Sequence, residues 1–228
     1  MLRKLVGYAA YMFGANIFTA LLTFAVTAFG MAARSKEAFG DYFTYMLVYE
    51  IGTGLLINGV NATIQNYAAE SRENRLRFTK LVYIAFALLN LLCGVAAVAA
   101  WQLAGFNFAL GFLGIPWVVT NWYGRYVVRS TLDAKREARL MVIASLSSSV
   151  FRFAFLTFTD LRDAMIYGDF VALLVSGAAA LVMLPRAVEA SLGEVMRVAL
   201  PRPFLEKCFR FSVPLWLAGL VFTARSEE

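Results

Sequence analysis

Residues 39–70 read FGDYFTYMLVYEIGTGLLINGVNATIQNYAAE, a long apolar run with one carboxylate, Glu50, near its middle. On an α-helix, spacings of four, four, three and four residues bring five polar or small residues onto one face about 80° wide. These residues are Glu50, Gly54, Asn58, Asn61 and Gln65. The other faces are mostly Leu, Val, Ile and Ala. The pattern predicts a membrane-spanning helix over residues 40–65 that turns a polar stripe towards a partner helix or a water-filled cavity.

The depth of Glu50 in this helix suggests a role. An ionisable group at the bilayer centre costs about 2.5–3.5 kcal/mol on insertion scales, so it is usually paired, protonated or in contact with an aqueous path. We therefore expect Glu50 to act in ion coupling and the protein to act in transport. A purely structural ion pair between Glu50 and Arg152 is the alternative.

The composition places the chain among polytopic membrane proteins. Of its 228 residues, 61% are hydrophobic and 16% are charged, and the mean hydropathy of +0.67 is too high for a soluble domain with a polar surface. The net charge of +6 comes from basic residues clustered in short loops, and no nucleic-acid motif accompanies them. We expect no nucleic-acid partner. The chain has no His, so any proton coupling must use carboxylates.

Six stretches reach the roughly 20 apolar residues that a membrane-spanning helix needs. They are residues 7–33, 40–65, 80–103, 106–129, 138–159 and 164–185, and a seventh begins near Phe211. We expect an all-α membrane helical bundle with a six-helix transmembrane lobe over 1–185, a cytoplasmic interfacial amphipathic segment over 186–210 and an incomplete seventh helix over 211–228. Most Lys and Arg residues fall in loops on one side, which predicts a cytoplasmic N-terminus.

Two other predicted helices also carry polar faces. In the first helix, one face about 80° wide holds Asn16, Thr19, Thr23, Thr27, Gly30 and Arg34. In the fifth helix, the corresponding residues are Ser145, Ser148, Arg152 and Thr159. Such stripes line a cleft or serve only as contacts between helices. At about 1.5 Å per residue, Glu50 and Arg152 reach similar depths and could meet.

Two further charged residues have simpler interpretations. Asp169 lies near the outer end of the sixth predicted helix, where we expect a solvated, structural carboxylate. Arg125 lies in the inner part of the fourth, where a long side chain can reach the membrane interface.

The sequence shows none of the catalytic motifs that would predict an enzyme. It contains no Ser/His/Asp set, no Walker-type phosphate loop, no GxGxxG after a strand and no aspartate-rich pair for a metal-bound sugar phosphate. Cys93 and Cys208 lie far apart in the sequence, and no disulfide, metal site or cofactor is expected.

Four stretches of the chain together resemble one family. They are residues 38–70, TLDAKREARLMVIASLSSSVFRFAFL (131–156), AMIYGDFVALLVSGAAALVMLPR (164–186) and CFRFSVPLWLAGLVF (208–222). In this order they resemble the N-terminal half of the polysaccharide and O-antigen flippases, which belong to the superfamily of multidrug, oligosaccharidyl-lipid and polysaccharide exporters. The likeness spans most of the chain and rests on the order of the motifs.

The resemblance implies translocation of a lipid-linked oligosaccharide across a bacterial inner membrane by alternating access. Family members have two six-helix lobes around a central cleft, in which cationic side chains tend to hold an anionic pyrophosphate-linked substrate. On this basis the substrate-binding candidates are Arg152, Arg34, Asn16, Asn58 and Asn61. Besides the lipid-linked glycan, the expected partners are membrane lipids and a second lobe. Because family members have twelve or more helices, we expect a fragment that is completed by a C-terminal half or by another copy.

Two alternatives remain open. The first is a cation-coupled multidrug-type exporter of the same superfamily, with Glu50 as the cation or proton site. The second is a non-transporting membrane scaffold subunit, in which the polar stripes only hold helices together.

Overall fold

The computed structural model describes residues 2–33, 35–159 and 161–225, and every regular element in these ranges is an α-helix. In chain order the helices are α1 (Leu2–Ala33), α2 (Lys36–Ile57), α3 (Val60–Glu70), α4 (Arg72–Ala104), α5 (Phe106–Arg129), α6 (Ala134–Phe158), α7 (Ala164–Ala187), α8 (Leu192–Arg197) and α9 (Arg202–Arg225). The expected all-α fold class is confirmed. Arg34, a predicted substrate-binding residue, lies outside the described ranges.

Four of the described helices are long and apolar enough to cross a membrane. They are α1 over Val6–Gly30, α4, α6 and α7. The second and fourth predicted spans correspond to α2 and α5, which have 22 and 24 residues and are not among these four. Helix α5 is enclosed by other helices, whereas α2 packs against α5 on one side and has exposed side chains on the other. A helix enclosed by others tolerates polar residues at membrane depth, because those residues need not face lipid.

Helix α5 is the centre of the bundle, because it packs against α2, α3, α4, α6 and α7. Its buried residues extend from Ala109 to Val128. Two hydrogen bonds join it to neighbours: the Tyr123 hydroxyl donates to the Leu56 carbonyl at 2.6 Å, and the Asn121 side chain donates to the Ser176 carbonyl at 3.2 Å. The side chains of α5 therefore lie within reach of most of the other helices.

The polar stripe of residues 40–65 does not lie on one continuous helix. Helix α2 ends at Ile57 and α3 begins at Val60, so the prediction of a single straight span is wrong. Gly59 has φ of 82°, a left-handed conformation that glycine adopts without a steric penalty. A Cβ at this position would lie 2.4 Å from the Ser212 carbonyl oxygen of α9. The break therefore lets α9 pack directly against the backbone of Gly59.

The basic residues between the second and third predicted spans lie on a helix rather than in a loop. Ser71 caps α4 by accepting a hydrogen bond from the Asn74 backbone at 3.0 Å, so α4 begins directly after α3. Lys80 then donates to the carbonyls of Met196 and Val198 at 2.8 and 2.9 Å. These charges therefore also hold the segment that follows α7.

The segment after α7 contains one short helix before α9. A capping box closes α8: the Ser191 backbone N–H donates to the Glu194 carboxylate at 2.6 Å, and the Glu194 N–H donates back to the Ser191 hydroxyl. The bond from the Ser191 N–H holds the pKa of Glu194 below its ordinary value. Helix α9 begins at Arg202, nine residues before the predicted start at Phe211. The predicted interfacial segment is therefore divided between α8 and the first turns of α9.

Helices α6 and α7 approach each other closely at Gly168. A Cβ there would lie 2.7 Å from the Phe151 carbonyl oxygen and 2.8 Å from the Arg152 Cα atom. Backbone atoms cannot move aside as a flexible side chain can. Small residues allow such approaches between membrane helices, and here the approach positions Arg152 opposite α7.

We expect Gly168→Ala to destabilise the bundle by about 1–3 kcal/mol, because the added methyl group overpacks the α6–α7 contact. The matched control is Gly94→Ala in α4, where a Cβ meets nothing within 4 Å. That change should be neutral or stabilising by up to about 1 kcal/mol, since alanine favours the helix. Thermal unfolding of the purified variants in detergent measures both effects. Equal stability of the two variants would contradict the close approach.

Candidate transport grooves

Two cavities beside α5 contain most of the predicted site residues. The first, which we call the glutamate groove, lies between α2, α3 and α5 and has a volume of about 390 Å³. It is lined by Tyr49, Glu50, Thr53, Gly54, Ile57, Asn58, Asn61, Val118, Trp122 and Tyr126. Glu50, Asn58 and Asn61 thus meet in one cavity, although α2 and α3 are separate helices.

Glu50 supplies the charge of the glutamate groove. Its side chain is exposed, and within the described part of the chain no hydrogen bond or ion pair involves its carboxylate. The rings of Trp122 and Tyr126 stack beside it with centroids 5.9 Å apart. A carboxylate next to aromatic faces is a favourable environment for an organic cation, since both attract positive charge.

The second cavity, the arginine groove, lies between α1, α5 and α6 and has a volume of about 770 Å³. It is lined by Asn16, Thr19, Ala20, Thr23, Phe24, Thr27, Arg125, Met141, Ala144 and Ser145. The polar face predicted for the first helix therefore meets the polar face of α6. The predicted site residue Asn16 is part of the lining. Ser145 joins the two helices by donating to the Thr19 carbonyl at 3.3 Å.

Arg125 supplies the charge of the arginine groove. Its guanidinium carbon lies 4.5 Å from the centroid of the Trp122 ring, so the side chain is held inside the bundle by a cation–π contact. Its Nε atom is buried and has no hydrogen-bond partner among the described residues. No carboxylate from this part of the chain lines the cavity. The sequence analysis interpreted Arg125 as a residue that extends to the membrane interface and did not predict this contact. Arg125 follows Trp122 by three residues on the same helix, and this spacing could have indicated that the two side chains meet.

The neighbouring Arg129 is fully paired by contrast. Its Nε and Nη2 atoms both donate to Glu137 Oε1, at 2.8 and 2.5 Å. The Tyr8 hydroxyl donates to the other oxygen of the Glu137 carboxylate. This network joins α1, α5 and α6 and leaves neither charge available, so Arg125 is the unpaired cation of this region within the described residues.

The predicted ion pair between Glu50 and Arg152 is wrong. Arg152 is 7% exposed and donates through Nε to Asp169 Oδ1 at 2.9 Å, with a second bond from Nη2. Ser148 donates to the same oxygen at 3.1 Å, and the Arg152 guanidinium lies over the Tyr42 ring. Asp169 is 1% exposed, so the expectation of a solvated carboxylate is also wrong.

Arg152 therefore lines neither groove. Its guanidinium pairs with a carboxylate, and the close α6–α7 approach at Gly168 encloses it. Sequence spacing placed Arg152 on a polar face with Ser145 and Ser148, but it did not identify which neighbouring helix that part of the face meets. A role of Arg152 in substrate binding remains a prediction.

Comparison with known proteins places the fold. No protein-family profile matches the sequence, and no curated protein matches it. Among solved structures, the chain is similar to an outward-facing multidrug resistance MATE family transporter of the MOP superfamily, with a TM-score of 0.64 and 18% identity over 97% of this chain. The fold is MATE-like. The chain covers 53% of that structure, so it spans about half the length of the transporter it matches.

Two further structures give the same result. One is a MOP superfamily transporter from Pyrococcus furiosus, described by the reversed polarity of its binding pocket, with a TM-score of 0.55, 16% identity and coverage of 93% of this chain and 50% of that one. The other is a MATE protein in complex with Br-NRF, with a TM-score of 0.56, 16% identity and coverage of 95% and 52%. The expected transporter-like helical fold is confirmed, whereas assignment to the polysaccharide flippases remains a prediction.

We expect Asp169→Leu to destabilise the protein by about 3–5 kcal/mol, because it leaves the Arg152 guanidinium buried without a counter-charge. The double variant Arg152→Met with Asp169→Leu should recover most of this loss, since neither charge then remains. Thermal unfolding in detergent compares the two variants. A double variant as unstable as the single one would show that the ion pair is not the source of the effect.

Proposed function

We propose that this chain forms one lobe of an alternating-access transporter that moves a lipid-linked oligosaccharide across the membrane. The observation that carries the proposal is Arg125, a cation held inside a hydroxyl-lined groove with no carboxylate in its lining. An unpaired guanidinium at membrane depth is expensive to maintain, so it favours an anionic ligand that completes its hydrogen bonds.

The composition of the arginine groove fits each part of such a substrate. Arginine presents a planar fork of donors that binds phosphate oxygens in two parallel, charge-assisted hydrogen bonds. Asn16 and the threonines of α1 provide neutral polar groups for sugar hydroxyls. Phe24 and Met141 provide apolar surface beside them. The groove therefore supports recognition of a phosphate joined to a glycan.

The packing of α1 is compatible with alternating access. This helix packs mainly on α6, whereas α5 has five neighbours. Most of the described side chains of α1 are exposed. A small shift of α1 against α6 would therefore widen or narrow the arginine groove while the packing of α5 against α2, α3, α4 and α7 stays in place. In inverted-repeat transporters, movement of one helical group against another exposes a central site to each side in turn.

The glutamate groove supports a second candidate function, export of organic cations. Glu50 is unpaired within the described residues, and the aromatic rings of Tyr49, Trp122 and Tyr126 line the same cavity. A carboxylate and ring faces together bind a lipophilic cation through charge and cation–π attraction. In this function Glu50 would also be the cation or proton site, as predicted from the sequence.

We expect Arg125→Gln to lower export of the lipid-linked oligosaccharide about tenfold or more, because charge-assisted hydrogen bonds contribute about 1.5–3 kcal/mol each. Arg125→Lys should restore part of the export, since it keeps the charge but loses the fork. Surface-exposed glycan on intact cells measures export, and Arg197→Gln, an exposed change outside both grooves, is the matched control. Normal export by Arg125→Gln at an unchanged protein level would exclude this substrate site.

We expect Glu50→Gln to leave glycan export unchanged under the first function and to abolish resistance to lipophilic cations under the second. Growth inhibition by such a cation distinguishes the two outcomes. Glu37→Gln, an exposed change in the first turn of the same helix, is the control. If the Arg125 and Glu50 variants both reduced only the amount of folded protein, the scaffold function would be the better explanation.

A further inference from the structure

A third cavity lies at one end of the bundle. It is formed by the α3–α4 junction, the α5–α6 turn and the end of α7. Its volume is about 430 Å³, and we call it the basic end pocket. Its lining includes Arg72, Arg75, Ser130, Thr131, Leu132 and Arg136. The positive-inside pattern of the sequence predicts that this end is cytoplasmic. The pocket shares no lining residue with either groove, so its function is separate from the one proposed above.

Backbone carbonyls hold two of the three guanidinium groups in place. Arg72 Nη2 donates to the Glu189 carbonyl at 2.9 Å. Arg136 Nη1 donates to the carbonyls of Arg186 and Ala187, both at 3.1 Å. These carbonyls are acceptors at the end of α7, so they orient the arginines but do not cancel their charge.

The third guanidinium, that of Arg75, differs from these two. Within the described part of the chain, no hydrogen bond or ion pair involves its side chain, although the residue is only half-exposed. Two carboxylates also belong to the lining, and one of them, Asp133, pairs with Arg136 Nε at 3.0 Å. The other, that of Glu189, is exposed. Three guanidiniums against two carboxylates leave the pocket with an excess positive charge.

The rim of the pocket is strained at two positions. Leu132 has φ of 57° and Glu189 has φ of 55°, left-handed conformations that residues with a Cβ rarely adopt. Such backbone strain concentrates at ligand-binding sites. The Leu132 side chain is 71% exposed, which leaves an apolar group in the turn between α5 and α6, at the end of the bundle that the positive-inside pattern predicts to face the cytoplasmic side of the membrane. An exposed leucine at that level can enter the boundary between head groups and acyl chains.

We infer that the basic end pocket binds the phosphate of an anionic phospholipid head group, with Arg75 as its main ligand and Leu132 against the acyl chains. Basic pockets between transmembrane helices on the cytoplasmic side are suited to anionic head groups. A free phosphate offers the same chemistry to the arginines but gives Leu132 no role. The combination of a basic pocket with an apolar rim therefore favours a lipid.

Binding to the purified full chain in non-ionic detergent tests this inference. Native mass spectrometry counts retained phosphatidylglycerol and phosphatidylcholine of the same acyl length, and inorganic phosphate is added as a competitor. Phosphatidylglycerol should bind about tenfold more tightly than phosphatidylcholine. Arg75→Gln should weaken its binding about fivefold, the effect of one cationic residue near a lipid surface. Arg139→Gln, an exposed change on α6 outside the pocket, should have no effect.

A second variant separates a lipid from a free phosphate. Leu132→Asn should keep the turn folded, because asparagine tolerates the left-handed conformation, while it removes the apolar group. It should weaken phosphatidylglycerol binding and leave the affinity of the pocket for inorganic phosphate unchanged. Phosphate that displaces the lipid at equal concentration, with no effect of Leu132→Asn, would assign the pocket to a soluble phosphate compound instead. Equal binding of the two lipids, unaffected by Arg75→Gln, would overturn the inference entirely.

Discussion

A guanidinium inside a bilayer requires a counter-charge, a water path or an aromatic face, and three arginines of this bundle meet that requirement differently. Arg152 pairs with Asp169, and Arg129 pairs with Glu137. Among the residues that the structure describes, Arg125 has the face of Trp122 and no counter-charge paired with it. The ion pairs of Arg152 and Arg129 connect α6 to α7 and α5 to α6, respectively. The third charge, that of Arg125, remains available to a ligand, which is why the arrangement supports binding of an anion at that position.

The same constraint explains why two grooves of opposite charge can lie side by side. Trp122 forms part of the wall of the glutamate groove, and its ring also supports Arg125 in the arginine groove. A single aromatic residue of α5 thus separates a free carboxylate from a free cation. Direct pairing of Glu50 with Arg125 would cancel both charges and remove the basis of both functions proposed for the grooves.

The ends of the bundle follow a related rule, because helix termini leave backbone carbonyls without partners. Lys80 and Arg136 donate to carbonyls that follow α8 and end α7, respectively. Basic residues from which the sequence predicts membrane topology therefore also fix the connections between helices. Arg75 takes no part in these contacts, and this difference makes it available to a head group.

The sequence by itself determined the helical class, the approximate limits of α5, α6 and α7, the end of α4 and the polar faces of α1 and α2, because apolar length and helical period are local properties. Glu50, Asn58 and Asn61 do line one cavity, but the single helix from which the sequence predicted their common face is broken between Ile57 and Val60. Only the tertiary structure decided the partners of the charges. Arg152 meets Asp169 rather than Glu50 because Gly168 brings α7 against α6, and periodicity within one helix contains no information about which helix lies opposite.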